Sequence, residues 1–148
     1  MKKIIFLFLL GFLLSISFSA CHRKGGKGDA VGIKFERVSY KQVLDKAQKM
    51  GKPVFIDLYA SWCGPCKMME RTVFVDKTVG NFHNANFINL RIDGEKGEGR
   101  DLVKQFNIMG YPTLIYVDGS GKVLHTEIGA IGSQELMRIG KNVLKGTH

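Results

Sequence analysis

The sequence predicts an α/β fold, with a central mixed β-sheet flanked by helices on both faces. Three observations carry that prediction. Residues 54–59, VFIDLY, are apolar on both alternations apart from Asp57, as in a strand covered from two sides. Strand-like and helix-like stretches then alternate up to about residue 106, the order that produces parallel pairing through crossovers. Finally, residues 113–117 and 122–128 are β-patterned and flank Asp118-Gly119-Ser120-Gly121, the signature of an antiparallel hairpin.

Each element has its own local cause. Residues 33–38, IKFERV, alternate and predict a short first strand. Ser39 offers an N-cap to a helix running through Met50, with Gly51 as its stop. A second helix opens at Cys63 and continues through Arg71, with Met68 and Met69 as core filler rather than ligands. Asp76 can cap a further helical piece reaching Asn84, and residues 86–92 predict a strand. A Gly-rich, mixed-charge loop from Asp93 to Gly99 leads into a helix ending near Phe106. Residues 133–144 form a last amphipathic helix, capped by Ser133 and weakened by Gly140. There is no internal repeat.

The N-terminus is organised differently. Lys2 and Lys3 precede an apolar run at residues 4–14 and small residues up to Ala20, the order of a secretory signal. The run is short for a membrane span, which needs about 20 residues. Residues 17–21, SFSAC, resemble a bacterial lipobox, so Cys21 is expected to carry lipid and to anchor an exported lipoprotein facing the periplasm; Phe18 departs from the usual aliphatic residue. Ordinary cleavage near Ala20 is the alternative. Residues 22–32 are Gly-rich and basic, a flexible tether with a reach of roughly 18 Å. Residues 33–148 then form one domain.

The formal net charge of +9 makes the surface basic. No element clusters Arg with interleaved aromatics, so nucleic acid is not the expected partner. The lysines read as a solvated face, with attraction to anionic lipid headgroups second.

The chemistry sits at Trp62-Cys63-Gly64-Pro65-Cys66, where a buried strand meets a helix. A cysteine in the first helical turn faces unpaired backbone N–H groups and the positive end of the helix dipole, which favours its thiolate. Cys63 is therefore the expected nucleophile. Cys66, one turn further on the same face, can attack a mixed disulfide formed at Cys63. Such a pair cycles without a cofactor. Zinc normally needs four ligands, and His22, His83, His125 and His148 lack ligand spacing, so no metal is expected. A c-type haem site needs His directly after the second cysteine, where Lys67 stands. Lipidation of Cys21 would account for the third, odd cysteine.

With the dithiol, the element order and Gly110-Tyr111-Pro112-Thr113 in place, residues 35–144 resemble the thioredoxin superfamily. Residues 52–63 and 71–76 look most like its membrane-tied reductant branch, that of the DsbD C-terminal domain. Arg71 stands where thioredoxins usually carry a kinking proline, and the 93–99 loop is longer than theirs, which favours that branch. The resemblance implies a thioredoxin fold and assigns Asp57 as the buried acid that takes a proton from Cys66. Asn89 matches the position of the lysine that neighbours this acid in thioredoxins, which predicts an uncompensated carboxylate. Tyr111 and Pro112 match the cis-proline loop that pairs with substrate, and Trp62 with Gly64 and Pro65 the surface beside the nucleophile. The implied protein is a monomeric thiol–disulfide oxidoreductase reducing protein disulfides, recharged by a membrane donor of DsbD type. A disulfide oxidase or isomerase is the alternative within that class. A metal–thiolate delivery module or a non-catalytic adaptor lies outside it.

Overall fold

A computed structural model describes residues 32–146. Cys21, the signal and nearly all of the tether lie outside the described residues. The chain runs α1 (Tyr40–Met50), β1 (Val54–Tyr59), α2 (Gly64–Thr72), α3 (Lys77–Asn86), β2 (Ile88–Asp93), α4 (Gly99–Gln105), β3 (Thr113–Val117), β4 (Val123–Ile128) and α5 (Ser133–Gly146). The four strands form one sheet in the order β2-β1-β3-β4. β1 pairs parallel with β2 and antiparallel with β3, and the β3–β4 hairpin is antiparallel. No helix among the described residues is long and apolar enough to cross a membrane.

The alternation of β1 sorts its side chains between two layers. Val54, Ile56 and Leu58 pack with Val43 and Ala47 of α1 and Leu102 of α4. Phe55 points the other way, into a cluster with Met69 of α2, Val79 of α3, and Leu136 and Ile139 of α5. Asp57 shares that second face, because side chains two apart on a strand lie on one side. Helices cover both faces, as expected.

Local signals explain the helix limits. Ser39 and Gln42 form a reciprocal capping box on α1, and Gly51 ends the helix at φ 61°, in the left-handed region that glycine adopts without a Cβ penalty. Asp76 Oδ1 accepts from Thr78 N at 2.8 Å and Val79 N at 3.1 Å, capping α3. Ser133 is the first residue of α5 rather than its cap, and the Gly132 carbonyl accepts from Leu136 N at 3.0 Å. Gly140 has a packing role: a Cβ there would lie 2.7 Å from the Phe82 ring, so the glycine admits α3 close to α5.

The first predicted strand is corrected. Residues 33–38 form only an isolated parallel bridge, Glu36 to Leu90. Asparagine side chains take up much of this segment's backbone bonding: Lys34 N donates to Asn84 Oδ1, while Asn84 Nδ2 and Asn89 Nδ2 donate to the Gly32 and Lys34 carbonyls. To the edge of β2 itself Glu36 N donates to the Asn89 carbonyl at 2.8 Å, a single bridge rather than a full ladder.

A buried polar pair sits in the α3–sheet core. His83 Nδ1 is 3.1 Å from the Val79 carbonyl, which can only accept, so Nδ1 carries the proton and Nε2 accepts from the Tyr116 hydroxyl at 3.0 Å. Burial pushes His83 down to about 4, against the stabilising bond to Val79. Burial likewise raises the Tyr116 phenol.

Candidate active site

β1 ends at Tyr59, and after three intervening residues the chain turns into α2 with Cys63 as N-cap. Pro65 in the first turn costs no helical hydrogen bond, because the N–H groups there have no intrahelical partner. Cys63 and Cys66 are joined as a disulfide with Cα atoms 5.4 Å apart. Cys66 N donates to Cys63 Sγ at 3.1 Å, aiming a backbone donor at the sulfur that would carry charge in the reduced state.

Cys63 lies at the helix start, but it is not exposed. Its exposure is 2%, against 1% for Cys66. Ala60 clusters with the two cysteines, and Tyr59 and Tyr111 pack against that cluster. Gly64 and Pro65 are exposed beside it, as is Trp62 at 67%. The Trp62 ring meets Tyr111 edge-on at 6.0 Å.

The Tyr111–Pro112 peptide is cis. The loop is braced by Thr113 Oγ1 donating to the Gly110 carbonyl at 2.7 Å. Tyr111 also lies over Gly94 in the β2–α4 loop, where a Cβ would come within 2.6 Å of its hydroxyl. That contact ties the Gly-rich loop to the site, which its composition alone did not reveal. Trp62, Cys63, Cys66 and Tyr111 thus converge in space.

Asp57 is fully buried on the face of β1 that α2 covers. The expected neighbour is corrected here. In the parallel register Asn89 stands opposite Phe55, and Arg91 stands opposite Asp57. Arg91 Nε donates to Asp57 Oδ2 at 2.8 Å. The same guanidinium reaches Glu70 on α2, with Nη1 2.7 Å from Oε1 and Nη2 3.2 Å from Oε2. It lies over the Tyr59 ring, 4.3 Å from its centroid. Asp57 therefore has a cation, and the uncompensated carboxylate predicted from Asn89 does not occur.

Asp57 is nevertheless pushed up to about 6, because desolvation outweighs the charge and hydrogen bond of Arg91, and Glu70 adds repulsion. Glu70 is held below the usual carboxylate range, chiefly by its hydrogen bond from Arg91. Asp57 Oδ1 has no hydrogen-bond partner. An acid with a raised pKa and one free oxygen, under the helix that carries a dithiol, can accept a proton near neutral pH.

Comparison with known proteins agrees with this geometry. A thioredoxin-like family model matches residues 35–119. The chain is 33% identical over 102 residues to the thiol:disulfide interchange protein DsbD of Ralstonia nicotianae, covering 66% of this chain and 17% of that protein. It thus spans about one sixth of the length of the curated relatives it matches. A structure of a candidate disulphide-isomerase from Bacteroides thetaiotaomicron superposes with a TM-score of 0.69 at 37% identity, over 78% of this chain and 95% of that one. The oxidised DsbD C-terminal domain of Neisseria meningitidis shares the fold at 22% identity, with a TM-score of 0.60 over 74% of this chain and 97% of its own length. The match over more than half of its length makes this chain a member of the thioredoxin-like family, with the cysteine pair of a thiol–disulfide oxidoreductase.

Proposed function

We propose that the protein reduces disulfides in exported proteins through the Cys63–Cys66 couple. The Cys63 thiolate attacks one sulfur of the substrate disulfide, forming a mixed disulfide and releasing the other sulfur as a thiolate that takes up a proton. Cys66 then gives its proton to Asp57 Oδ1 and attacks Cys63 Sγ, forming the Cys63–Cys66 bond and releasing the second substrate sulfur as a thiolate that takes up a proton. One substrate disulfide becomes two thiols, and the protein's dithiol becomes a disulfide.

The observation that carries this reading is the Cys66 N–H aimed at Cys63 Sγ across the first turn of α2, beside an exposed Trp62. Tyr111, next to the cis bond, would pair with an extended substrate segment. Likeness to DsbD supports the reducing direction and a membrane dithiol donor of that type. Likeness to the candidate isomerase favours rearrangement of disulfides as the second reading. Lipidation of Cys21 would keep the domain at the membrane, and the mass of the N-terminal peptide tests it: an unmodified thiol removes the anchor.

Trapping tests the exchange itself. Cys66→Ser is expected to accumulate a mixed disulfide between Cys63 and one cysteine of the substrate's former disulfide. Absence of that adduct, or accumulation on Cys63→Ser instead, would overturn the assigned roles.

A further inference from the structure

The Asp57–Arg91–Glu70 cluster joins the buried acid to the helix that carries the dithiol. Arg91 occupies one oxygen of Asp57 and leaves the other without a partner. Its terminal nitrogens are drawn to Glu70, which lies on α2 one turn past Cys66. The guanidinium cannot swing free, because Tyr59 backs it and its side chain is only 16% exposed.

We propose that Arg91 and Glu70 are positioning residues for the release step, a clamp that fixes which oxygen of Asp57 receives the proton and divides the cation's charge between two carboxylates. This deepens the proposed function and rests on Asp57 as the proton acceptor. The two members of the clamp act in opposite senses. Arg91 stabilises ionised Asp57, whereas Glu70 repels it and holds part of Arg91 away.

Among the described residues, Arg91 and Glu70 are the charges that act on Asp57. On β2 the flanking same-face residues are Asn89, which is neutral, and Asp93, whose carboxylate is ion-paired with Lys96 at 3.1 Å, and on β3 the residue opposite Asp57 is Leu114. On α2, Lys67 and Arg71 act on Glu70. His83 faces Phe55 and Tyr116 instead. Glu70 itself is about half exposed, so replacing it removes little packing.

The test is the pH profile of mixed-disulfide resolution. Reduced protein is mixed with a model protein disulfide, and the adduct is quenched with acid, alkylated and quantified across pH 5 to 9. Wild type is expected to resolve faster above a midpoint set by Asp57, near about 6. Glu70→Gln should lower that midpoint. Arg91→Met should raise it by about one pH unit or more, since an adjacent opposite charge is worth that much. Arg91→Lys, which keeps the charge but cannot fork to two carboxylates, should move it less. Should Arg91→Met fail to fold, the downward shift in Glu70→Gln and the smaller shift in Arg91→Lys decide the matter.

Midpoints that stay at the wild-type value in the Glu70 and Arg91 variants, or that move in one common direction, overturn the clamp. Asp57→Asn separates this from the underlying reading. If that variant keeps the wild-type midpoint, Asp57 is not the acceptor. If it loses the midpoint while the clamp variants do not move it, only the clamp fails.

Discussion

Two buried groups of opposite character make opposing contributions to the pH dependence of stability across mildly acidic pH, and removing one should expose the other. Asp57 is raised from 3.8 to about 6, so between those values the native state holds a proton that the unfolded chain has lost. Stability due to Asp57 therefore falls as pH rises through that window. His83 is lowered from 6.5 to about 4, so the unfolded chain holds a proton that the native state refuses, and stability due to His83 rises over nearly the same window. Each shift is about two units, or about 3 kcal/mol at about 1.4 kcal/mol per unit. The two slopes oppose one another. Asp57→Asn deletes the falling term, so the variant should gain stability relative to wild type by about 3 kcal/mol between pH 4 and 6.5. Loss of the Arg91 partner shifts the whole variant curve but adds no slope there, because arginine does not titrate in that range. Urea unfolding of the oxidised protein, followed by far-UV circular dichroism at closely spaced pH, gives the difference curve, in which titrations common to both proteins cancel. Parallel curves for wild type and Asp57→Asn would refute the reasoning.

Three further outcomes follow from the site and its supports. In reduced protein at neutral pH, peptide mapping after brief alkylation should find Cys63 labelled before Cys66, because the Cys66 N–H and the helix dipole favour the Cys63 thiolate; preferential labelling of Cys66 would reverse their roles. Trp62→Ala should leave the unfolding midpoint within error, since the ring is 67% exposed, yet lower the rate of protein disulfide reduction; an unchanged rate would remove Trp62 from the substrate surface. Gly99→Ala should cost about 1–3 kcal/mol in urea unfolding, because its Cβ would stand 2.0 Å from the Asp93 carbonyl oxygen and backbone would have to move.

What was legible in the sequence was local. The dithiol at a strand-to-helix turn, the Ser39 and Asp76 caps, the hairpin and the proline loop each depend on neighbours a few residues away. Pairing register is not local. The cation for Asp57 lies on β2, and a shift of two residues exchanges Asn89 for Arg91 without disturbing the inward and outward alternation. Arg91, on the polar alternation of β2 with Asn89 and Asp93, was the available signal, but only the register gives it a partner. The alternation of residues 33–38 was real, yet side chains of Asn84 and Asn89, about fifty residues away, satisfy the backbone that a ladder would have used. Gly140 reads as a helix weakness until the Phe82 ring is placed against it.

The most direct test of the reducing role is the potential of the Cys63–Cys66 couple, equilibrated in glutathione buffers of known ratio and read by alkylation and mass. Thioredoxin lies near about −270 mV and DsbA near about −120 mV, a separation of roughly 7 kcal/mol for two electrons. The reducing role predicts a value towards the thioredoxin end, at or below the range of about −220 to −260 mV set by glutathione. A value near the DsbA end would contradict it and make the protein a donor of disulfides.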